Sequence, residues 1–298
     1  MSVRLTLGPV LFNWSADRLT EFYAHIADEA DIDRVHLGEV VCGKRAPFTD
    51  AIWPEVIERL EAAGKEVVIS LLAMPSNVRE RKIVAELAGE DRLVEINDVT
   101  GLALRSGHPF VVGPFVNVYN EMSAKFFAER GAKTLCLPVE VPIASAVVIA
   151  EAVPQAEIEI FAFGRMPLAV SGRCYHARLA GLHKDSCQFV CDRDPDGLDV
   201  STLAGQSFLA INGIATMSHG VEAYCPPAYE LETSGIRRLR LSPQTCDMAK
   251  VAGVYGALAS GAIEPIEARE RLVAIGLPGP LVDGYARGLA GATLAQTA

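Results

Sequence analysis

The sequence predicts an α/β protein: a (β/α)8 TIM-like barrel, one domain over residues 1–298, with a cysteine-containing segment inserted after the seventh strand. Three observations carry this. Strand-like and helix-like stretches alternate along most of the 298 residues, the pattern of a parallel sheet covered by helices. Seven such strands precede residue 164 and an eighth returns near residue 237, the number that closes a barrel. No Gly-x-Gly-x-x-Gly follows the first strand and no Gly-x-x-x-x-Gly-Lys-Ser/Thr occurs, so an open, nucleotide-binding doubly wound sheet is the weaker alternative.

The elements follow in order. Residues 4–10 read as the first strand. In 16–28, Leu19, Phe22, Tyr23 and Ile26 share one helical face behind Ser15, a natural N-cap. Residues 34–39 form a strand, 53–63 a helix stopped by Gly64, and 66–72 a strand. A helix over 78–87, a strand over 93–99 and a short helical piece at 102–105 come next. Residues 110–118 are a strand, 122–130 a helix ended by Gly131, 134–139 a strand, 143–152 a helix and 157–163 the seventh strand. From about 164 to 232 the rhythm breaks. It returns with a strand at 237–241 and helices at 248–259 and 266–274.

Half of the residues are apolar, which supports a large core. The net charge of −10 opposes a phosphate-binding groove but leaves room for a small anion held by a few arginines. The first nine residues carry one positive charge and a short apolar run broken by Gly8 and Pro9, so no signal peptide is expected. The apolar run at 141–150 is half the length of a membrane span. A cytoplasmic protein with reduced thiols is the expectation.

Four of the seven cysteines lie outside apolar runs. Cys42 sits in Leu37-Gly38-Glu39-Val40-Val41-Cys42-Gly43-Lys44-Arg45, Cys174 follows Ser171-Gly172-Arg173, and Cys187 and Cys191 form a Cys-x-x-x-Cys pair. The loops after barrel strands share one face. Cys42 follows the second strand and Cys174 the seventh, so one four-thiol pocket is topologically possible. In a reducing compartment such a pocket means a metal or an iron–sulfur cluster. Cations beside thiols favour ligation, and Lys44, Arg45, Arg173 and Arg178 adjoin these cysteines. Structural zinc prefers short Cys pairs at both ends of its knuckle. Only one such pair exists here, and its spacing matches no ferredoxin run, so spacing alone leaves zinc and cluster open. Cys136 reads as core, and Cys225 and Cys246 are ambiguous.

Other polar residues fall at expected strand ends. Asn13, Asn97, Asp98 and Asn117 are candidates for the barrel mouth. Glu39 either orients a substrate or pairs with Lys44. His176 and His183 suit hydrogen bonding behind the cysteines or plain exposure, and His36 suits a satisfied core position. No Ser-His-Asp order and no His-Glu-x-x-His marks a peptidase.

The stretch from Glu159 to Cys174, EIFAFGRMPLAVSGRC, resembles the signature of the U32 peptidase-like family: an extended strand, a Gly turn, then Ser-Gly-x-Cys. The likeness extends over essentially the whole chain. Within the family, residues 37–45 and the chain length are similar to the members of oxygen-independent ubiquinone biosynthesis. Most relatives carry an earlier signature cysteine where Pro167 stands here, and Cys42 supplies the replacement. The resemblance implies a [4Fe-4S] cluster held by Cys42, Cys174, Cys187 and Cys191. It further implies ring hydroxylation of ubiquinone precursors with prephenate as oxygen donor, a heterodimer with a UbiU-like U32 protein and a UbiT-like lipid carrier. A U32-type peptidase and an RNA-hydroxylation factor are the alternatives.

Overall fold

The computed structural model describes residues 3–295. Residues 1–2, the head of the stretch weighed above as a leader, and 296–298 lie outside the description. The chain runs β1 (Arg4–Leu7), α1 (Ala16–Glu29), β2 (Arg34–Leu37), α2 (Trp53–Ala62), β3 (Glu66–Ser70), α3 (Val78–Ala88), β4 (Val94–Ile96), α4 (Thr100–Leu104), β5 (Phe110–Val112), α5 (Glu121–Ala128), β6 (Ala132–Cys136), α6 (Ile143–Ala152) and β7 (Glu157–Val170). After α7 (Tyr175–Leu179) come β8 (Leu198–Ser201), β9 (Ser207–Asn212) and β10 (Ala215–Ala223). Then follow α8 (Ala228–Thr233), β11 (Ile236–Leu241), α9 (Met248–Ala259), α10 (Pro265–Ile275) and β12 (Leu281–Val282).

The barrel closes. β1 to β7 pair in parallel in chain order, and β11 pairs in parallel with both β1 and β7. This is an eight-stranded parallel TIM-like barrel with further strands outside it. Helix α1 shows why the outer layer forms: Ser15 Oγ accepts from Arg18 N at 3.3 Å, and Leu19, Tyr23 and Ile26 turn inward onto the sheet.

Two departures from the sequence expectation matter. The strands expected at 93–99 and 110–118 stop at Ile96 and Val112, because their ends turn into loops at the rim. The seventh strand does the opposite: it runs on to Val170 instead of ending at 163. At Gly164 the chain bends with φ +116, and a Cβ there would sit 2.7 Å from the Ser242 carbonyl oxygen. Only glycine fits that crossing. Beyond it, the strand leaves the barrel and pairs antiparallel with β10, which pairs with β9, and β9 with β8. The stretch that reads as irregular is therefore a β arm over the mouth.

The barrel interior is polar, where bulky aliphatics usually fill it. Inward positions alternate along each strand, and they carry Thr6, Arg34, His36, Ser70, Glu95, Thr134, Glu159, Arg238 and Arg240, all buried. Arg240 donates Nε–H to Glu159 and Nη2–H to Glu95, each at 2.5 Å. Ser70 donates to Glu95 at 2.6 Å. His36 Nε2 lies 3.5 Å from Arg240 Nη2, a donor, and Nδ1 lies 3.3 Å from Glu95, so the ring is neutral with its proton on Nδ1. Burial lowers the His36 pKa, in keeping with that state. Burial alone raises both carboxyls. Arg240 overrides it and holds Glu159 at about 2 and Glu95 well below the usual range.

Two outcomes are expected. Arg240→Met leaves two facing carboxylates unpaired and costs about 3–5 kcal/mol in denaturant unfolding, much of it restored by adding Glu95→Gln and Glu159→Gln. Because both carboxyl pKa values are depressed in the fold, their contribution is complete above about pH 4.3, the unfolded value. It falls as pH drops toward 2, so wild-type stability measured by acid titration declines across that window, and the triple variant declines less.

Candidate functional site: a four-thiol cavity at the barrel rim

The loop after β2 is built by its own carboxylate. Glu39 Oε1 accepts from Val41 N at 2.8 Å and Cys42 N at 2.9 Å, and Arg45 N closes a turn on the Cys42 carbonyl. Glu39 does not pair with Lys44; its nearest cation is Arg45, at 3.9 Å. Lys44 reaches the other way, donating to the Lys184 carbonyl at 2.6 Å and to Asp185 at 3.3 Å.

The late cysteines hang from the β arm. Cys174 caps α7, its sulfur accepting from Ala177 N at 3.4 Å. Cys187 ends a single helical turn, and Cys191 begins within the next. Between them Gln188 and Phe189 both adopt left-handed backbone, with φ 49 and 53. Neither is glycine, so the pair stores about 1–2 kcal/mol per residue of strain. That reversal lets both thiols of the Cys-x-x-x-Cys pair face one side.

Cys42, Cys174, Cys187 and Cys191 line one cavity of about 20 Å³, together with Arg45, His176, Phe189 and Gly213. None forms a disulfide. Arg45 is buried, donating to the Leu11 carbonyl at 3.0 Å and to Asn212 Oδ1 at 2.9 Å, while its Nε has no partner. Gly213 at the β9–β10 turn has φ +61, and a Cβ there would stand 2.6 Å from Arg45 Nη2. Asn13 donates to the Cys191 sulfur at 3.4 Å. Burial pushes the Cys42 thiol up to about 11 and raises Cys174. Free Cys42 and Cys174 are therefore held as thiols, and a cationic centre between them would drive their protons off. Among the described residues, no three His, Cys, Asp or Glu side chains converge in the manner of a single-ion site.

The remaining sequence candidates separate. His176 is buried and fully engaged: Nδ1 accepts from Gly213 N at 3.4 Å, and Nε2 donates to Asp194 at 2.8 Å. His183, Arg173 and Arg178 are exposed. Asn97 lies inside the barrel, donating to the Leu71 carbonyl and to Glu95. Asp98 accepts from Thr100 at the start of α4. Cys136 lies in the barrel interior, Cys225 is buried, and Cys246 lies 3.8 Å from the Met248 sulfur.

Of a second feature, sequence reading named only Asn117. A 450 Å³ cavity opens on the same rim, lined by Met74, Phe115, Asn117, Tyr119, Glu140 and Leu168. Tyr119 donates to Glu140, and burial together with that carboxylate pushes the phenol up to about 12. The two residues sit on loops after β5 and β6, and only their strand-end positions signal them. Ala73, also in this lining, donates its N–H to the Val40 carbonyl at 2.9 Å, so the cavity adjoins the Cys42 loop.

The family model for peptidase family U32 matches residues 14–259, and the chain belongs to that family. It is 30% identical over 135 residues to proteins named tRNA hydroxylation protein P from two Helicobacter pylori strains, a match over 43% of this chain. The match spans only 32% of those relatives' own length. A mutant tryptophan synthase alpha-subunit from the hyperthermophile Pyrococcus furiosus aligns over 92% of this chain and 99% of its own, at 14% identity and a TM-score of 0.28. No helix among the described residues is long and apolar enough to cross a membrane.

Two measurements check this geometry. Dibromobimane, which bridges only neighbouring thiols, is expected to join Cys42 to one of the late three in metal-free protein, read by peptide mass mapping; a bridge confined to Cys187 and Cys191 contradicts the arrangement. Gln188→Gly is expected to raise the stability of metal-free protein by about 1 kcal/mol by relieving left-handed strain. A loss of stability contradicts that backbone.

Proposed function

We propose that this chain is the iron–sulfur subunit of an oxygen-independent hydroxylase acting on aromatic-ring precursors of ubiquinone, similar to UbiV. It would work as a heterodimer with a UbiU-like U32 protein, with a UbiT-like lipid carrier and with prephenate as oxygen donor. One observation carries the reading: four free thiols, from two parts of the chain more than 130 positions apart, line one cavity beside a buried guanidinium.

The donor set fits a [4Fe-4S] cluster on its chemistry. Four sulfurs complete a cubane, so no histidine is required, and His176 has no free nitrogen. When bound, the cluster would supply one-electron transfer. The chain's own residues do the rest. Cys42, Cys174, Cys187 and Cys191 would hold the iron, while the Asn13 amide and the Ala177 N–H point at sulfur. Such hydrogen bonds and nearby positive charge raise a cluster's potential. Arg45 is that charge, fixed by the Leu11 carbonyl and Asn212. Phe48 packs edge-on against Phe189, ring centres 4.7 Å apart, and closes the outer side between the two loops.

Hydroxylation without molecular oxygen balances as an exchange: the ring carbon loses hydrogen and gains hydroxyl, and the donor carbon does the reverse. The four-thiol cavity offers no acid–base pair for this exchange, which favours an electron-relaying or structural role here and chemistry in the partner. RNA hydroxylation is the second reading, favoured by the relatives named for tRNA hydroxylation and opposed by the net charge of −10. A peptidase is disfavoured on geometry: His176 and Asp194 resemble two thirds of a Cys-His-Asp triad, but His176 Nδ1 is occupied by Gly213 N and Nε2 by Asp194. No ring nitrogen is left to take a thiol proton.

Anaerobic reconstitution is expected to load about four iron and four sulfide per chain. Cys42→Ala, Cys174→Ala, Cys187→Ala and Cys191→Ala should each lose most of it, while Cys246→Ser keeps it. Full iron in all four variants, or zinc without sulfide, contradicts the reading. Ring hydroxylation of a ubiquinone precursor with the UbiU-like partner and prephenate tests the substrate, and salt-sensitive RNA binding at physiological ionic strength would move it to RNA.

A further inference from the structure

The helical layer has an apolar opening beside the cysteine loop. α1 packs on α2 and α3 on α4, but between α2 and α3 lies a cavity of about 890 Å³. Its walls are Trp53 and Ile57 of α2, Ile83 and Leu87 of α3, and Leu72 from the loop after β3. Trp53, Ile57, Ile83 and Leu87 are only half-buried, so apolar surface is left open where helices of a barrel usually close on each other. Trp53 is held edge-on by Tyr23, ring centres 6.0 Å apart, which makes it a fixed wall.

The cavity is long. It follows α2 from its first residue to Ala62, about 15 Å of helix. Its upper end is formed by Gly38, Glu39 and Gly43, the last adjacent to Cys42. Its lower end reaches Glu90 and Arg92. The volume is that of a small-molecule site. Among the charged side chains of the lining the acids dominate: Glu39, Asp50, Glu58, Glu61, Glu86 and Glu90 stand against Arg92, which pairs Glu61, while just outside the lining Lys82 pairs Glu86 and Arg79 acts on Asp50. An acidic rim on apolar walls rejects fatty-acid carboxylates and phospholipid phosphates. It leaves neutral chains.

We propose that the α2–α3 groove binds a neutral, linear apolar chain of isoprenoid type, with the chain's functional end at the Cys42 loop. This deepens the hydroxylase reading and rests on it for the identity of the head, since a prenylated ring laid in the groove would emerge at the rim between the thiol cavity and the Tyr119–Glu140 cavity. Leu72 lines the groove, and its neighbours Ala73 and Met74 line that second cavity.

Farnesol, a neutral C15 isoprenol, is the probe. Titrated into the full chain, it is expected to bind saturably at one site, read by Trp53 fluorescence and by calorimetry. Trp53→Phe should silence the fluorescence change while calorimetry still reports binding. Ile83→Asp and the groove-filling Ile57→Trp should each weaken binding at least tenfold with unchanged circular dichroism, and palmitate should bind at least tenfold more weakly than farnesol. Cys42→Ala should bind farnesol like wild type, so a failed iron assignment and a failed groove assignment are told apart. Absence of saturable binding, equal binding by both groove variants, or palmitate binding as tightly as farnesol overturns the proposal.

Discussion

The rim of this molecule depends on β7 continuing past the barrel mouth. A barrel strand ordinarily stops there and hands over to a loop. Here Gly164 lets the chain cross Ser242 without a side chain in the way, and the strand continues for six more residues. At about 3.3 Å each, that is some 20 Å of arm. Pairing with β10 and β9 makes the arm stiff. It delivers the β9–β10 turn onto the loops after β1 and β2, where Asn212 donates to the Leu11 carbonyl at 2.7 Å and accepts from Arg45. Without that crossing, Cys174 and Cys191 would have no route to Cys42.

Charge is distributed with the same economy. In the barrel interior Arg240 bonds Glu95 and Glu159 across three strands, while Thr6 Oγ1, Glu159 Oε2 and Arg238 Nη1 have no partner. At the rim Arg45 is buried beside the four cysteines, with the Glu39 carboxylate 3.9 Å away and its Nε without a partner. A buried guanidinium nitrogen without an acceptor is costly. That free donor would suit further negative charge at the cysteines, as four thiolates around iron and sulfide would bring. The strain at Gln188 and Phe189 points the same way, since left-handed backbone at non-glycine residues persists where the surroundings enforce it.

Much of the barrel was legible in the chain. The alternation of strands and helices gave eight parallel strands, and the helices at 143–152 and 248–259 match α6 and α9 residue for residue. Loop topology alone placed Cys42 and Cys174 on one face, and the structure puts them on one cavity. The arm was not legible, because β7 passes through Gly164 and Pro167, residues that locally punctuate a strand, and only pairing with β10 keeps it extended. The polar interior was half visible. Glu157-Ile158-Glu159-Ile160 and Arg238-Leu239-Arg240-Leu241 alternate with the charged side inward, the reverse of the usual expectation, and only His36 was read as interior. Arg45 lies in a Gly-Lys-Arg run that reads as surface, yet it is buried, because the Leu11 carbonyl and Asn212 Oδ1 from distant segments accept its hydrogen bonds.

Three neighbouring features thus meet at one rim: a thiol cavity, a polar cavity with Tyr119 and Glu140, and the top of an apolar groove. Their adjacency suits a subunit that holds a cofactor near a bound ring while a partner completes the chemistry. The most direct test of the central claim is Mössbauer spectroscopy of 57Fe-loaded protein prepared without oxygen. The account predicts a diamagnetic signal of valence-delocalised iron pairs, as a [4Fe-4S]2+ core gives, lost when Cys42 is replaced by Ala. A spectrum of isolated high-spin ferrous iron, or a four-iron signal unchanged in Cys42→Ala, would contradict it.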